Sequence, residues 1–223
     1  MKNILALGVV VSATLVAAAW ARDDKDAKSS AWRSLFDGKS LEGWEHVGPG
    51  KMIVEDGIIR TEGGMGLLWY TKEKFGDCVI KVVYKTATKS SNAGVYVAIA
   101  DKPKDPWFAV HHGYEVQICD SEDDWHTTGA IYSLSKANSR PVKPPGEWNT
   151  MEITLKGKRV QVMINGVLVN DFDPATAVIP ERKKDYEPER GPRPEKGYIG
   201  LQNHDDYGEK SHVYYKEVSV RPL

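Results

Sequence analysis

The sequence predicts an all-β fold, a jelly-roll sandwich of two antiparallel sheets, and three observations lead to this prediction. Runs of β-branched and aromatic residues recur along the chain with a period of two. Residues with a high turn propensity separate these runs, and convincing amphipathic helices are absent beyond the N-terminal region. Many strands without alternating helices are typical of a sandwich or a jelly roll.

Seven segments carry the strand pattern, namely residues 78–84, 93–100, 114–120, 150–155, 160–164, 198–202 and 212–220. Asn165-Gly166 and Asp56-Gly57 predict type I′ turns, because both central positions of such a turn need a positive φ. Lys156-Gly157-Lys158 predicts a further tight hairpin. Residues 101–113 and 171–196 interrupt the pattern, and long loops in a compact domain are usually functional or disordered. We expect residues 171–196 to form part of the rim of a site, with one helical turn near Pro174.

The first 21 residues are typical of a secretory signal peptide. Lys2 supplies a positive charge, an apolar run follows from Ile4 to Ala19, and Ala19-Trp20-Ala21 fits a cleavage site. The alternative is a membrane anchor, but the apolar run of about 16 residues is shorter than the roughly 20 that a spanning helix needs. We therefore expect export to the periplasm or the extracellular space without stable membrane insertion after cleavage. Residues 22–31 would then be a flexible leader and residues 32–223 a single domain.

The distribution of charge argues against a nucleic-acid partner, and the positions of the two cysteines argue against a disulfide. The formal net charge is −1 and the basic residues are dispersed, so no basic stripe is present that would bind a nucleic-acid backbone. Cys78 and Cys119 could pair in an oxidising compartment. Both lie in predicted strands, however, where a buried cysteine behaves as a small apolar residue, and we expect free thiols.

Strand alternation predicts a polar surface on one sheet. In residues 114–120, Val116 and Ile118 are assigned to the core, so Glu115 and Gln117 face away from it. The same reasoning assigns Val95, Val97, Ile99, Ile131, Ile199 and Leu201 to the core. The polar side chains left on the opposite face are Asn92, Tyr96, Glu115, Gln117, Tyr132, Gln202 and His204. The alternative is an ordinary solvated face, but such faces usually carry lysine and threonine, so we favour a carbohydrate-binding surface.

A group of acidic and imidazole side chains follows the strand that carries Glu115. Asp120, Asp124 and His126 could together bind a hard divalent cation through oxygen and nitrogen ligands. The alternative is a polar turn, since the spacing matches no established metal motif. Whether a cofactor is present stays open at this point.

Several blocks of the sequence, in order, resemble one known family. They are SLFDGKSLEGW at residues 34–44, NAGVY at 92–96, GYEVQICD at 113–120, TGAIY at 128–132, GEWNTMEI at 146–153, NG at 165–166 and GLQNH at 200–204. Together they resemble the 3-keto-disaccharide hydrolase family, also described as 3-keto-glucoside 1,2-lyases and 3-keto-2-hydroxy-glucal hydratases, across residues 33–223. One departure concerns Tyr96-Val97-Ala98, where relatives often carry an arginine.

The resemblance implies a concanavalin A-like sandwich that acts on sugars already oxidised at C3, and functional coupling to a sugar 3-dehydrogenase. An ordinary sandwich glucanase needs paired carboxylates in an E-x-D-x-E run, which this sequence lacks. A C3 ketone opens another route, because it acidifies the C2 hydrogen and permits elimination at C1 followed by hydration.

The elimination route needs a base, an oxyanion stabiliser and an acid. We expect His204 to be the base and Glu115 its acid partner or orienting carboxylate. Arg60 or a divalent metal ion would stabilise the oxyanion, and Asn92, Gln117, Tyr132 and Gln202 would bind hydroxyls or the enolate. Two alternatives are a non-catalytic carbohydrate-binding domain and an interaction domain of the cell envelope that has lost the chemistry.

Overall fold

A computed structural model describes residues 31–205 and 210–223. The predicted signal peptide and residues 22–30 of the predicted leader lie outside the described residues. Within the described ranges, no helix is long and apolar enough to cross a membrane. The elements are β1 (Arg33–Ser34), β2 (Trp44–Val47), β3 (Lys51–Glu55), β4 (Ile58–Glu62), β5 (Gly64–Tyr70), β6 (Cys78–Thr86), β7 (Ala93–Ile99), α1 (Pro106–His112), β8 (Tyr114–Ile118), β9 (Asn149–Lys156), β10 (Arg159–Ile164), β11 (Val167–Phe172), β12 (Tyr198–Asp205) and β13 (Val213–Pro222).

The strands form two antiparallel sheets, which confirms the predicted sandwich. The larger sheet has the order β11-β10-β9-β6-β13-β4-β3, and β1 pairs with β13. The smaller sheet has the order β2-β5-β12-β7-β8. The main core lies between them, where Val116 and Leu201 of the smaller sheet belong to the same buried cluster as Ile80 and Ile153 of the larger one. Burying such side chains stabilises the sandwich by roughly 1.5–3 kcal/mol each.

The predicted turns are confirmed by the backbone. Asp56 and Gly57 have φ values of 50° and 78°, and they join β3 to β4. Asn165 and Gly166 have φ values of 50° and 82°, and they join β10 to β11. Positive φ at both central positions matches the right-handed twist of the paired strands. These two short sequences therefore set the register of two hairpins in the larger sheet.

The outer face of the smaller sheet carries a helix that the sequence pattern did not predict. Residues 106–112 form α1, and the Asp105 carboxylate caps it by accepting a hydrogen bond from the Phe108 backbone N–H at 3.0 Å. Seven residues are too few for the 3.6-residue period to stand out. Ala109 and Val110 of α1 pack into a second buried cluster with Leu67 and Trp69. The part of the outer face of the smaller sheet that lies beneath α1 is therefore apolar and covered by the helix.

An extra residue in β7 corrects the predicted position of Ile99. The pairing with β12 shifts from Tyr198 opposite Ile99 to Gly200 opposite Tyr96, and Ala98 has a φ of 53°. Such a bulge reverses the direction in which later side chains point. Ile99 therefore packs with Tyr96 in the cluster beneath α1, not in the core between the sheets.

Both cysteines are free and buried, as expected. Cys78 begins β6, and Cys119 follows β8. Burial and the neighbouring charge of Asp77 raise the pKa of the Cys78 thiol to about 12. This thiol is therefore protonated at neutral pH and inert as a nucleophile.

Candidate active site

A pocket of about 270 Å³ lies on the outer face of the smaller sheet, beside α1. We call it the central pocket. Its walls combine polar groups from the strands with apolar and aromatic groups from α1 and the loops. The lining residues are Met65, Asn92, Trp107, Val110, Glu115, Gln117, Tyr132, Tyr186, Gln202 and His204.

The structure brings together six of the side chains that strand alternation placed on the polar face. Three adjacent strands, β12, β7 and β8, carry or flank most of them. Gln202 and His204 come from β12, and Glu115 and Gln117 come from β8. Because alternate side chains of a strand share a face, β12 and β8 each present a pair to the pocket. Asn92 and Tyr132 complete the set from segments that flank β7 and β8.

Residues 128–132 are not a regular strand, although they run beside β8. Ile131 forms an isolated bridge with Val116, and the Tyr132 N–H donates to the Glu115 carbonyl oxygen at 2.9 Å. Ile131 is buried in the main core, as predicted. The anchored backbone holds Tyr132 beside Glu115.

Glu115 is the buried carboxyl of the pocket and is 7 % exposed. The Tyr96 hydroxyl donates a hydrogen bond to its Oε2 at 2.9 Å, and Gln202 Nε2 donates to the Tyr96 hydroxyl at 2.8 Å. Burial raises the pKa of Glu115 to about 7, although the interactions with Tyr96 and Gln202 act in the opposite direction. Near neutral pH the side chain is thus present both as an acid and as a carboxylate, which suits a group that gives and takes a proton.

Gly94 provides space for this carboxyl. A Cβ atom at residue 94 would lie 2.7 Å from Glu115 Oε1 and 2.8 Å from its Cγ. Any larger residue on this face of β7 would displace the acid. Gly94 therefore contributes to the site because its lack of a side chain leaves space for the Glu115 carboxyl.

Two acceptors in the pocket are left for a ligand. Gln202 Oε1 and Asn92 Oδ1 are buried and have no hydrogen-bond partner within the described part of the chain. Buried polar atoms are almost always hydrogen-bonded in folded proteins, so both suit donation by ligand hydroxyls. Burial strongly raises the pKa of Tyr132, which keeps its phenol neutral and able to donate.

Arg60 does not reach the central pocket. It lies in β4 of the larger sheet, and its guanidinium pairs with Glu62 at 2.8 Å and with Glu55 at 3.7 Å. The expectation that it stabilises an oxyanion there is corrected by this placement in the other sheet.

The candidate metal ligands do not converge on one point. Their polar partners are Thr128 for Asp120 (2.6 Å), Arg140 for Asp124 (3.0 Å), and Asp123 and Ser133 for His126 (2.9 Å each). In residues 31–205 and 210–223, no group of three or more His, Cys, Asp or Glu side chains could hold a metal ion. These residues therefore do not fit a divalent ion.

Sequence reasoning missed three lining residues, Met65, Val110 and Tyr186, and it could not assign a fourth, Trp107, to either the core or a sugar-binding surface. Trp107 and Val110 belong to the first interruption of the strand pattern, and Tyr186 belongs to the second. The second interruption thus forms part of the rim, as expected. An aromatic residue within each long interruption was the available signal.

Comparison with known proteins gives a family and several structural relatives. The model of the 3-keto-alpha-glucoside-1,2-lyase-like domain matches residues 31–221. A 3-keto-disaccharide hydrolase of Bacteroides thetaiotaomicron is 28 % identical over an alignment of 148 residues, and the match covers 54 % of this chain and 51 % of that protein. The match thus spans about half the length of this curated relative.

Solved structures share the fold. A Parabacteroides distasonis protein assigned as a glycosyl hydrolase is 27 % identical, with a TM-score of 0.71 over 86 % of this chain and 100 % of that one. The carbohydrate-binding module CBM66 of Bacillus subtilis is 13 % identical, with a TM-score of 0.52 over 80 % and 95 % of the two chains. At that identity the second likeness concerns the fold alone, and it agrees with the predicted jelly-roll class.

Proposed function

The chain belongs to the family of 3-keto-alpha-glucoside-1,2-lyase-like domains, and from this premise we propose that it cleaves 3-keto-glucosides by elimination at C1 followed by hydration. One observation carries the proposal: the central pocket combines one buried carboxyl, whose pKa is raised to about 7, with an imidazole and several neutral hydrogen-bonding groups. Direct displacement needs two carboxyl groups across the scissile bond. Glu115 is the one carboxyl among the described residues that line this pocket.

The elimination begins with His204 as the base. Its imidazole takes the C2 hydrogen as a proton, and the electron pair moves into the C2–C3 bond and onto the ketone oxygen. The neutral phenol of Tyr132 donates a hydrogen bond to this developing oxyanion. The enolate then collapses, a C1–C2 double bond forms, and the C1–O bond breaks while Glu115 protonates the leaving oxygen.

The hydration uses the same two groups in reversed roles. The Glu115 carboxylate takes a proton from a water molecule whose oxygen bonds to C1. The His204 imidazolium returns a proton to C2. Both side chains recover their starting protonation states, and the products are a 3-keto sugar and a free alcohol.

The substrate must carry the ketone before it binds. Oxidation of a C3 hydroxyl therefore precedes this reaction, and we infer that a sugar 3-dehydrogenase supplies the substrate. The predicted signal peptide supports an activity in the periplasm or outside the cell.

The proposal is tested by incubating the protein with 3-keto-trehalose and with trehalose in heavy water and following the products by NMR. We expect only the keto sugar to be consumed, with deuterium entering at C2. His204→Ala and Glu115→Gln should each reduce the rate by about 100-fold or more. His112→Ala is the matched control, because His112 is exposed on α1 and does not line the pocket.

The outcomes separate the possible functions. Consumption of plain trehalose, or cleavage of the keto sugar without exchange at C2, would contradict the elimination. Binding of sugars with no turnover of either would favour the non-catalytic carbohydrate-binding alternative.

The free energy of unfolding of Glu115→Gln at different pH values shows whether a loss of activity in this variant results from a loss of the fold. The native state keeps the Glu115 proton up to a pKa of about 7, whereas the unfolded chain releases it near 4.5. Wild-type stability therefore falls as the pH rises through this window. Glu115→Gln lacks this penalty, so above pH 7 its free energy of unfolding should exceed the wild-type value by up to about 3 kcal/mol. Denaturant unfolding at pH 4 and pH 8 measures the difference.

A further inference from the structure

A second cavity of about 350 Å³ lies next to the central pocket. We call it the rim pocket. Two segments line it, residues 123–133 beyond the edge strand β8 and residues 180–190 of the second long interruption. Its lining includes Asp123, Trp125, His126, Lys183, Glu187 and Arg190.

The same two segments line both cavities. Tyr132 and Tyr186 line the central pocket, and the residues that follow them, Ser133 and Glu187, line the rim pocket. The ring centroids of His126 and Tyr132 are 5.0 Å apart. The two cavities are therefore neighbours, and a ligand that extends from the central pocket past Tyr132 would approach the rim pocket.

The charges lining the rim pocket largely compensate one another. Arg190 pairs with Glu187 at 2.6 Å, and His126 bonds to Asp123 at 2.9 Å. Lys183 and Glu181 add one charge of each sign. Paired charges present many donors and acceptors with little net field, and the Trp125 indole adds an apolar surface. This combination suits a neutral ligand rich in hydroxyl groups better than an anion or a cation.

The central pocket has room for one sugar ring. Its volume of about 270 Å³ is below the roughly 300–1,000 Å³ that is typical of sites for larger ligands. Any second ring of a disaccharide therefore needs space outside it.

The order of groups across the sheet indicates the direction in which that second ring lies. His204 is on β12, Glu115 is on the edge strand β8, and Tyr132 and the rim pocket lie beyond β8. The proposed acid thus lies between the proposed base and the rim pocket. An acid that protonates the leaving oxygen must contact the side of the substrate from which the leaving group departs.

We propose that the rim pocket is the subsite for the leaving group, which in a 3-keto-disaccharide is the second sugar. The inference rests on the proposed function. Trp125 and Lys183 are the specificity-determining residues, through apolar contact with the ring and hydrogen bonding to its hydroxyls.

The test compares kcat/KM for two substrates that differ only in the leaving group, 3-keto-trehalose and methyl 3-keto-α-glucoside. The wild type should prefer the disaccharide by about tenfold or more. Trp125→Ala and Lys183→Ala should each lower kcat/KM for the disaccharide and leave the methyl glycoside within about twofold. Lys184→Ala is the matched control, since its exposed side chain is adjacent in sequence but does not line the rim pocket.

Each outcome bears on one of the two proposals. Equal losses of kcat/KM on both substrates in Trp125→Ala and Lys183→Ala would overturn the assignment of the rim pocket, and so would the absence of any loss. In either case, turnover of the methyl glycoside by the wild type would still support the elimination. Absence of turnover of both substrates by the wild type would overturn the proposed function and the assignment with it. Circular dichroism of each variant checks that it is folded, and Lys183→Ala keeps the test decisive if Trp125→Ala fails to fold.

Discussion

At the scale of the single residue, Tyr96 controls the proposed acid. Its hydroxyl donates to Glu115 and accepts from Gln202, and all three side chains are buried. Burial strongly raises the pKa of Tyr96 itself, so its phenol stays neutral. A hydrogen bond donated to a carboxylate stabilises the charged form. The pKa of about 7 at Glu115 is therefore a balance between burial, which raises it, and hydrogen bonding, which lowers it.

This balance predicts the pH dependence of activity. Because the protonated form of Glu115 donates to the leaving oxygen, kcat/KM should fall as the pH rises through about 7. Tyr96→Phe removes a hydrogen bond that lowers the pKa of Glu115, so the falling limb should move upward by about one pH unit. A pH–rate profile on a 3-keto-glucoside measures the shift. Tyr70→Phe changes a buried tyrosine of the main core and is the control, so the pH of its falling limb should equal that of the wild type. If the falling limb in Tyr96→Phe also stays at the wild-type pH, the role of Glu115 as the acid is contradicted.

At the scale of the element, α1 and the bulge in β7 form one feature of the sheet face. The bulge turns Ile99 outward, where it packs with Tyr96 and with Ala109 and Val110 of α1. The helix is short, so its own backbone contributes little stability. Packing and the Asp105 cap hold it in place, and it carries the pocket residues Trp107 and Val110.

The cap of α1 is therefore expected to affect both stability and substrate binding. Asp105→Ala removes the acceptor for the Phe108 N–H and should lower the free energy of unfolding by about 1 kcal/mol. Because Trp107 and Val110 line the central pocket, KM should rise more than kcat falls. Denaturant unfolding and steady-state kinetics measure the two effects. Asp105→Asn keeps a capping oxygen and should resemble the wild type; equal losses in both variants would show that the cap is not the cause.

At the scale of the whole molecule, one arginine links the rim to the sheet. Arg193 is 4 % exposed, its Nε donates to the Gly113 carbonyl at 2.8 Å, and its guanidinium lies 5.3 Å from the centre of the Tyr114 ring. Its Nη2 also donates to the Glu189 carbonyl at 2.8 Å. Gly113 and Tyr114 directly precede Glu115 in the chain. The part of the chain that carries the proposed acid therefore also anchors residues 171–196, which include Tyr186.

Replacing this arginine should loosen the rim while the sandwich persists. Arg193→Met leaves the carbonyls of Gly113 and Glu189 without their donor, and we expect a loss of about 1–3 kcal/mol in the free energy of unfolding. KM for a keto-disaccharide should rise by about tenfold, since Tyr186 would no longer be held at the pocket. Arg159→Met, at an exposed arginine paired with Asp171, is the control. Limited proteolysis should cut residues 171–196 in Arg193→Met only; resistance equal to wild type would contradict the anchor.

The pairs on β8 and β12 were predictable because alternation is a local property of a strand. Glu115 with Gln117, and Gln202 with His204, needed only the positions of neighbouring apolar residues. Ile99 shows where this reasoning ends, since the bulge at Ala98 depends on pairing with β12, about 100 residues away in sequence.

Local periodicity and turn chemistry were enough to predict the sandwich class, its tight turns and, except for Ile99, which side chains of a strand share a face. The adjacency of β12, β7 and β8, the location of Arg60 in the other sheet and the enclosure of the site by α1 and the rim became visible only in the folded chain. The tertiary structure also decided the pKa of Glu115, which depends on burial by distant segments. Strand order, bulges and burial result from contacts between residues far apart in the chain, and a local pattern does not contain them.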